Sequence, residues 1–124
     1  MNKKVLLIDD EPGIADALKR QIVDAGIEVD VIDNGKEGLE KISSKEYDLI
    51  LLDVLMPEFD GIAVLEAMRA DKEKYGDPKV IVITNNSTTE TKEKVELMGI
   101  STFYDKGTMS AAELIENINR LLNE

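Results

Sequence analysis

The chain has 124 residues, 43% hydrophobic and 33% charged, with a net charge of −11 and no histidine or cysteine. That length supports one domain with a proper core, and an acidic chain without a basic cluster argues against direct nucleic-acid binding. Thiol chemistry, disulfides, Cys/His zinc sites and any His-dependent triad are excluded as well, while the redox compartment stays open. The N-terminal MNKKVLLIDD holds only a short apolar stretch ended by acids. It reads as neither signal peptide nor membrane span, so a cytoplasmic location is the default expectation.

Five short apolar runs alternate with five segments of helical period. The first run, 4-KVLLI-8, leads into a helix over 13–25, where Ile14, Leu18, Ile22 and Ala25 recur at helical spacing and Pro12 suits a first helical position. Then come strand 28-EVDVI-32 and helix 35–43, strand 48-DLILL-52 and helix 61–70, strand 79-KVIVI-83 and helix 88–98. Strand 101-STFY-104 and helix 111–122 close the series. Both 87-STTE-90 and 110-SAAE-113 read as capping boxes with Ser at the N-cap. Gly26 and Gly99, each followed by Ile, read as helix ends. With no repeat or linker visible, residues 1–124 are expected to form a single domain.

Strict alternation implies a parallel sheet with right-handed crossovers and helices on both faces. Continuous apolar runs mark strands buried on both faces, so 5–8, 49–52 and 80–83 are expected to be central. The run 28–32, with Asp30 in its middle, and the polar 101–104 are expected at the edges. The flavodoxin-like (βα)5 three-layer α/β sandwich of order 2-1-3-4-5 satisfies this, with its switch point between the first and third strands.

Ligands of such sheets bind beyond the carboxyl ends of the strands. Asp9 and Asp10 end the first run and Asp53 ends the third, so three carboxylates are expected to converge. Two such charges about 5 Å apart repel by roughly 3 kcal/mol at an effective dielectric of ~20. Either some acids take up protons or a cation sits among them, and an all-oxygen set suits Mg²⁺. Glu11, directly before Pro12, reads as helix-start chemistry. Thr84 ends the fourth strand and Lys106 follows the fifth. A hydroxyl, an ammonium and a metal on one rim complement a phosphoryl group, with Asp53 as a nucleophile that needs no general base. Catalysis is then positioning plus charge neutralisation.

The set 9-DDEP-12, 53-DVLMPEFDG-61, Thr84 and Lys106 resembles the receiver domain of bacterial two-component response regulators, over the whole chain. The resemblance implies that Asp53 accepts a phosphoryl group from the phosphohistidine of a sensor histidine kinase or histidine phosphotransfer protein, or from a small phosphodonor. It implies Mg²⁺ held directly by Asp10 and Asp53, by Asp9 through water, and by the backbone carbonyl of Leu55. Lys106 would pair with the aspartyl phosphate and the Thr84 hydroxyl would move to bond it. Pro57 and Gly61 would shape the loop after the acceptor, and Phe103, rather than Tyr104, would hold the aromatic switch position. The protein would phosphorylate and dephosphorylate itself rather than act on an external metabolite, as a monomer or a phosphorylation-linked dimer. The helix 88–98 offers only Val95, Leu97 and Met98 as sizeable apolar residues. It is expected at the low-stability end of the domain, moving with the fifth strand and last helix as the output face.

Several positions depart from the family pattern. Gly107 stands where proline usually follows the lysine, so a trans bond or a rearranged loop is expected there, with Lys106 less rigidly aimed. Asn85 replaces a small residue after the threonine, where it can crowd the site or bond to it. Positions that tune dephosphorylation fall on Leu55 and Asn86. With Phe103 at the switch position, switching rests on ring packing alone. An interaction module with impaired phosphorylation is the main alternative. A haloacid-dehalogenase-type phosphatase would need Asp-x-Asp after the first strand, and a flavodoxin-like cofactor protein would need a hydroxyl-rich, Gly-containing loop where this chain has acids. Sequence names neither the cognate kinase nor the output, and does not tell a stand-alone protein from a fragment.

Overall fold

The computed structural model describes residues 3–44, 46–54, 61–85, 88–100 and 102–124. Its elements run β1 (Lys4–Ile8), α1 (Pro12–Asp24), β2 (Glu28–Ile32), α2 (Gly35–Ser43), β3 (Leu49–Asp53), α3 (Gly61–Ala70), α4 (Lys72–Tyr75), β4 (Lys79–Thr84), α5 (Thr89–Leu97), β5 (Phe103–Asp105) and α6 (Ala111–Leu122). The five strands are parallel, in the order β2-β1-β3-β4-β5. The central three are the apolar runs, and the two polar ones are the edges, as their sequences require.

Because side chains alternate across a strand, each central strand feeds two cores. Leu6, Ile8, Ile50, Leu52 and Val82 pack with Ile42, Val64, Leu65, Met68 and Val95 on the side of α2, α3 and α5. Val5, Leu7, Leu49, Leu51, Ile81 and Ile83 pack with Leu18, Ile22, Leu114 and Ile118 on the side of α1 and α6. The result is a three-layer sandwich.

Helix ends follow local chemistry. Gly26 and Gly99 adopt φ +83° and +85°. In each case the following Ile donates its backbone N–H to a carbonyl one turn back (Ile27 to Ile22, Ile100 to Val95), closing the helix and burying the Ile. Ser110 caps α6 as its sequence predicts, accepting from the Glu113 N–H. The cap of α5 is Thr88, which accepts from the Thr91 N–H. The N-cap thus falls one residue after the expected Ser87, which lies outside the described residues, and Thr91 rather than a Glu stands three positions beyond it. The one-turn helix α4, capped by Asp71, is too short to leave a periodic signal.

Asp30, the polar residue in mid-β2, has specific partners. It accepts from the Tyr47 hydroxyl at 2.5 Å and faces Lys4 Nζ at 3.2 Å, a clasp joining β1, β2 and the segment before β3. The Tyr47 hydrogen bond, ahead of the opposing effect of burial and the help of Lys4, holds the Asp30 carboxyl below its ordinary 3.8. A depressed carboxyl contributes stability above its unfolded pKa and loses it as pH falls through the folded value. Asp30→Asn is therefore expected to cost about 1 kcal/mol at pH 7, the exposed ion pair adding little. In urea titrations that deficit persists down to about pH 4 and closes below it; a deficit that grows on acidification contradicts the clasp.

Candidate functional site

Strand pairing assembles one rim. Ile8 pairs with Leu52, Asp53 with Ile83, and Thr84 with Asp105, so Asp9, Asp53, Thr84 and Lys106 lie at successive strand ends. Asp9 and Asp53 are each 1% exposed and Thr84 is fully buried. Asp9, Asp10 and Asp53 each offer a carboxylate oxygen within 4.8 Å of the others.

Lys106 is the centre of the charge balance. Its Nζ donates to Asp9 Oδ1 at 2.9 Å, Glu11 Oε1 at 3.0 Å and Asp53 Oδ2 at 2.9 Å, and its side chain is 1% exposed. Burial works against the charged ammonium. The hydrogen bonds to Asp9, Asp53 and Glu11 outweigh it, so the Lys106 pKa lies above its ordinary 10.5.

The turn that carries Lys106, expected to be less rigid with Gly107 in place of proline, is hydrogen-bonded on both sides of the lysine. The Lys106 N–H extends the sheet by donating to the Thr84 carbonyl at 2.8 Å. Asp105 holds the turn beyond it, its carboxylate accepting from the Gly107 N–H at 2.8 Å and its carbonyl from the Thr108 and Met109 N–H groups. The Lys106–Gly107 bond is trans. Hydrogen bonds to the Thr84 carbonyl and to Asp105 hold this turn without a proline.

Glu11 needs correcting too. It stands at the N-cap of α1 but its side chain makes no cap. The carboxylate instead reaches over the rim, where Oε1 accepts from both Lys106 and the Asn85 side-chain amide at 2.6 Å. Its own backbone N–H goes to Asp9 Oδ1 at 2.9 Å. The sequence signal was the third acid of 9-DDEP-12, which neighbouring Pro12 made look like helix-start chemistry. Asn85 thus bonds to the site through Glu11. The Thr84 hydroxyl donates to the Asn85 carbonyl at 3.2 Å.

Phe103 packs with the α2, α3 and α5 core, whereas Tyr104 packs with the α1 and α6 core and shares a hydrogen bond with Asn117. The ring expected at the switch position therefore faces the α5 side. Leu55, Pro57 and Asn86 lie outside the described residues. Gly61 opens α3 directly against the end of β3. A β-carbon there would sit 2.4 Å from the Asp53 carbonyl oxygen and 2.5 Å from the Val54 Cα.

The residues present fit a hard divalent cation. Three carboxylates converge, and Asp9 Oδ2 is buried 2.8 Å from Lys106 Nζ without a hydrogen-bonded partner among the described residues. The ion-pair distance and the absent hydrogen bond are compatible, because Oδ1 takes the aligned N–H and Oδ2 gains only the charge. One ammonium among four acids leaves excess negative charge for a metal to neutralise.

Fold and rim together define a response regulator receiver domain, and the chain belongs to that family: the family model matches residues 5–119. Among curated proteins it is similar to the transcriptional regulatory protein DltR of Streptococcus agalactiae, 33% identical over 115 residues, covering 93% of this chain and 50% of that protein. The transcriptional regulatory protein PcoR of Escherichia coli is 29% identical, covering 97% and 51%. The chain thus spans about half the length of these relatives. Among solved structures it resembles the Francisella response regulator 1452 receiver domain (34% identity, TM-score 0.85, 98% of each chain). It also resembles the response regulator TrrA of Thermotoga maritima, solved in complex with Mg(2+)-BeF (32% identity, TM-score 0.80, covering 96% and 98%). No helix among the described residues is long and apolar enough to cross a membrane.

Proposed function

We propose that Asp53 is a phosphoacceptor and that the chain is the switch domain of a two-component or phosphorelay system. The observation that carries this reading is the Asp53 carboxylate, 1% exposed and held 2.9 Å from a buried ammonium beside two further aspartates. An Asp53 oxygen forms a bond to the donor phosphorus as the donor's P–N or P–O bond breaks, its electron pair leaving with the imidazole nitrogen or, for an acyl phosphate, the released carboxylate. Lys106 orients Asp53 and offsets charge on the transferred group. The Thr84 hydroxyl, one strand away, is placed to exchange the Asn85 carbonyl for a phosphoryl oxygen. Asp9, Asp10 and Asp53 would hold Mg²⁺, which when bound supplies charge neutralisation for the phosphoryl oxygens. Return to the resting state is hydrolysis of the acyl phosphate, releasing inorganic phosphate and the Asp53 carboxylate.

The donor would be a histidine kinase or histidine phosphotransfer protein, and a cytoplasmic location belongs to the same reading. The chain acts on itself, not on an external metabolite. The surface of α5, β5 and α6 would carry the output, because α5 buries only Val95 while Leu97 is 88% exposed. Incubation with acetyl phosphate and Mg²⁺, read by intact mass, is expected to add one phosphoryl group to the parent and none to Asp53→Ala. Hydrogen exchange on the same sample should change across 85–106. An adduct on both proteins, or a parent that never labels, would sink the reading in favour of an interaction module.

A further inference from the structure

An ammonium has three N–H donors, and Lys106 spends all three on Asp9, Glu11 and Asp53. For Lys106 to meet a phosphoryl oxygen on Asp53, one of these acceptors must yield. Asp9 is a poor candidate, since it is 1% exposed and its Oδ1 is also anchored by the Glu11 N–H at 2.9 Å. Asp53 carries the incoming group. Glu11 remains. Its side chain is 41% exposed, and the oxygen that takes Lys106 also takes the Asn85 amide, so it keeps a partner when the ammonium leaves.

We propose that Glu11, clamped over the rim by Asn85, is a brake on the phosphorylation of Asp53. It competes with the phosphoryl group for Lys106, and Asn85 keeps it at the site rather than in solvent. Glu11 and Asn85 are positioning residues that act through the lysine. The Asn85–Glu11 bond also ties the end of β1 to the segment entering α5, across 74 positions of sequence. The inference rests on Asp53 being the phosphoacceptor.

The test is the rate of acetyl phosphate labelling, followed by intact mass, for the parent, Glu11→Gln, Asn85→Ala and the double variant. Glu11→Gln removes the competing charge and is expected to label about threefold to tenfold faster, the scale of one charged hydrogen bond. Asn85→Ala frees Glu11 to swing outward and should give a smaller gain. The double variant should match Glu11→Gln alone, because Asn85 then has no carboxylate to hold. The gain should persist in high salt, unlike a long-range charge effect. Glu11→Ala, with the same expectation, guards against a folding artefact of the amide.

A Glu11→Gln rate equal to or below the parent's overturns the brake while leaving the phosphoacceptor reading intact. A double variant faster than Glu11→Gln assigns Asn85 to crowding and overturns its clamping role. If neither parent nor variants label, both inferences fall together; labelling by Glu11→Gln alone supports the brake strongly.

Discussion

Lys106→Met is expected to destabilise the metal-free protein at neutral pH by about 3 kcal/mol, the lower range for removing one partner from a buried ion cluster. The variant leaves Asp9 and Asp53, both 1% exposed, facing Asp10 with no cation among them. Millimolar Mg²⁺ should restore much of the loss and should stabilise the variant more than the parent, because the competing ammonium is gone. The pH dependence has a definite sign. A lysine pKa raised above 10.5 contributes stability that is complete below that value and drains away as pH rises through the folded value. The gap between parent and variant should thus hold across the neutral range and narrow in strong alkali. Urea midpoints with and without Mg²⁺ measure all of this. A deficit below about 1 kcal/mol, insensitive to Mg²⁺, would mean that the carboxylates relieve themselves by protonation or hydration.

The second large effect is steric. Gly61→Ala is expected to cost about 3 kcal/mol, at the top of the usual range for overpacking. The atoms its β-carbon meets at 2.4 and 2.5 Å are the backbone of Asp53 and Val54, not the end of a side chain that can swing aside. Helix α3 must back away from the end of β3, and the strand end carrying Asp53 moves or loosens with it. Slower acetyl phosphate labelling of Asp53 should accompany the stability loss. Equal urea midpoints for variant and parent would show that α3 rides freely on β3 and that the close approach is dispensable.

The fold was legible because its strong signals are local. A strand buried on both faces must be apolar throughout, and LLI at 6–8, LILL at 49–52 and IVI at 81–83 can be little else. Rim residues were legible for the same reason, since a carboxylate ending such a run has one place to go. Partnerships across the chain were not. Asp30 read as a sign of an edge, and only register reveals Tyr47 and Lys4 beside it. Glu11 was misread because the groups that draw its carboxylate over the rim, Asn85 and Lys106, are 74 and 95 positions away. The expected slackness at Gly107 came from a proline rule. Asp105 and the Thr84 carbonyl meet the need by hydrogen bonds that no composition announces.

Neighbouring strands stand about 4.8 Å apart, so the ladder that pairs Ile8 with Leu52, Asp53 with Ile83 and Thr84 with Asp105 acts as a ruler for the chemistry at its end. Spacing among acceptor, hydroxyl and ammonium is graduated in strand widths rather than set by loop conformation. A slip of one residue would turn the whole scale over. Substitution at Glu11 or Asn85 leaves the graduations untouched. Under the proposed phosphoacceptor reading, reaction geometry is thereby insulated from drift in the loops, and tempo would be retuned one side chain at a time.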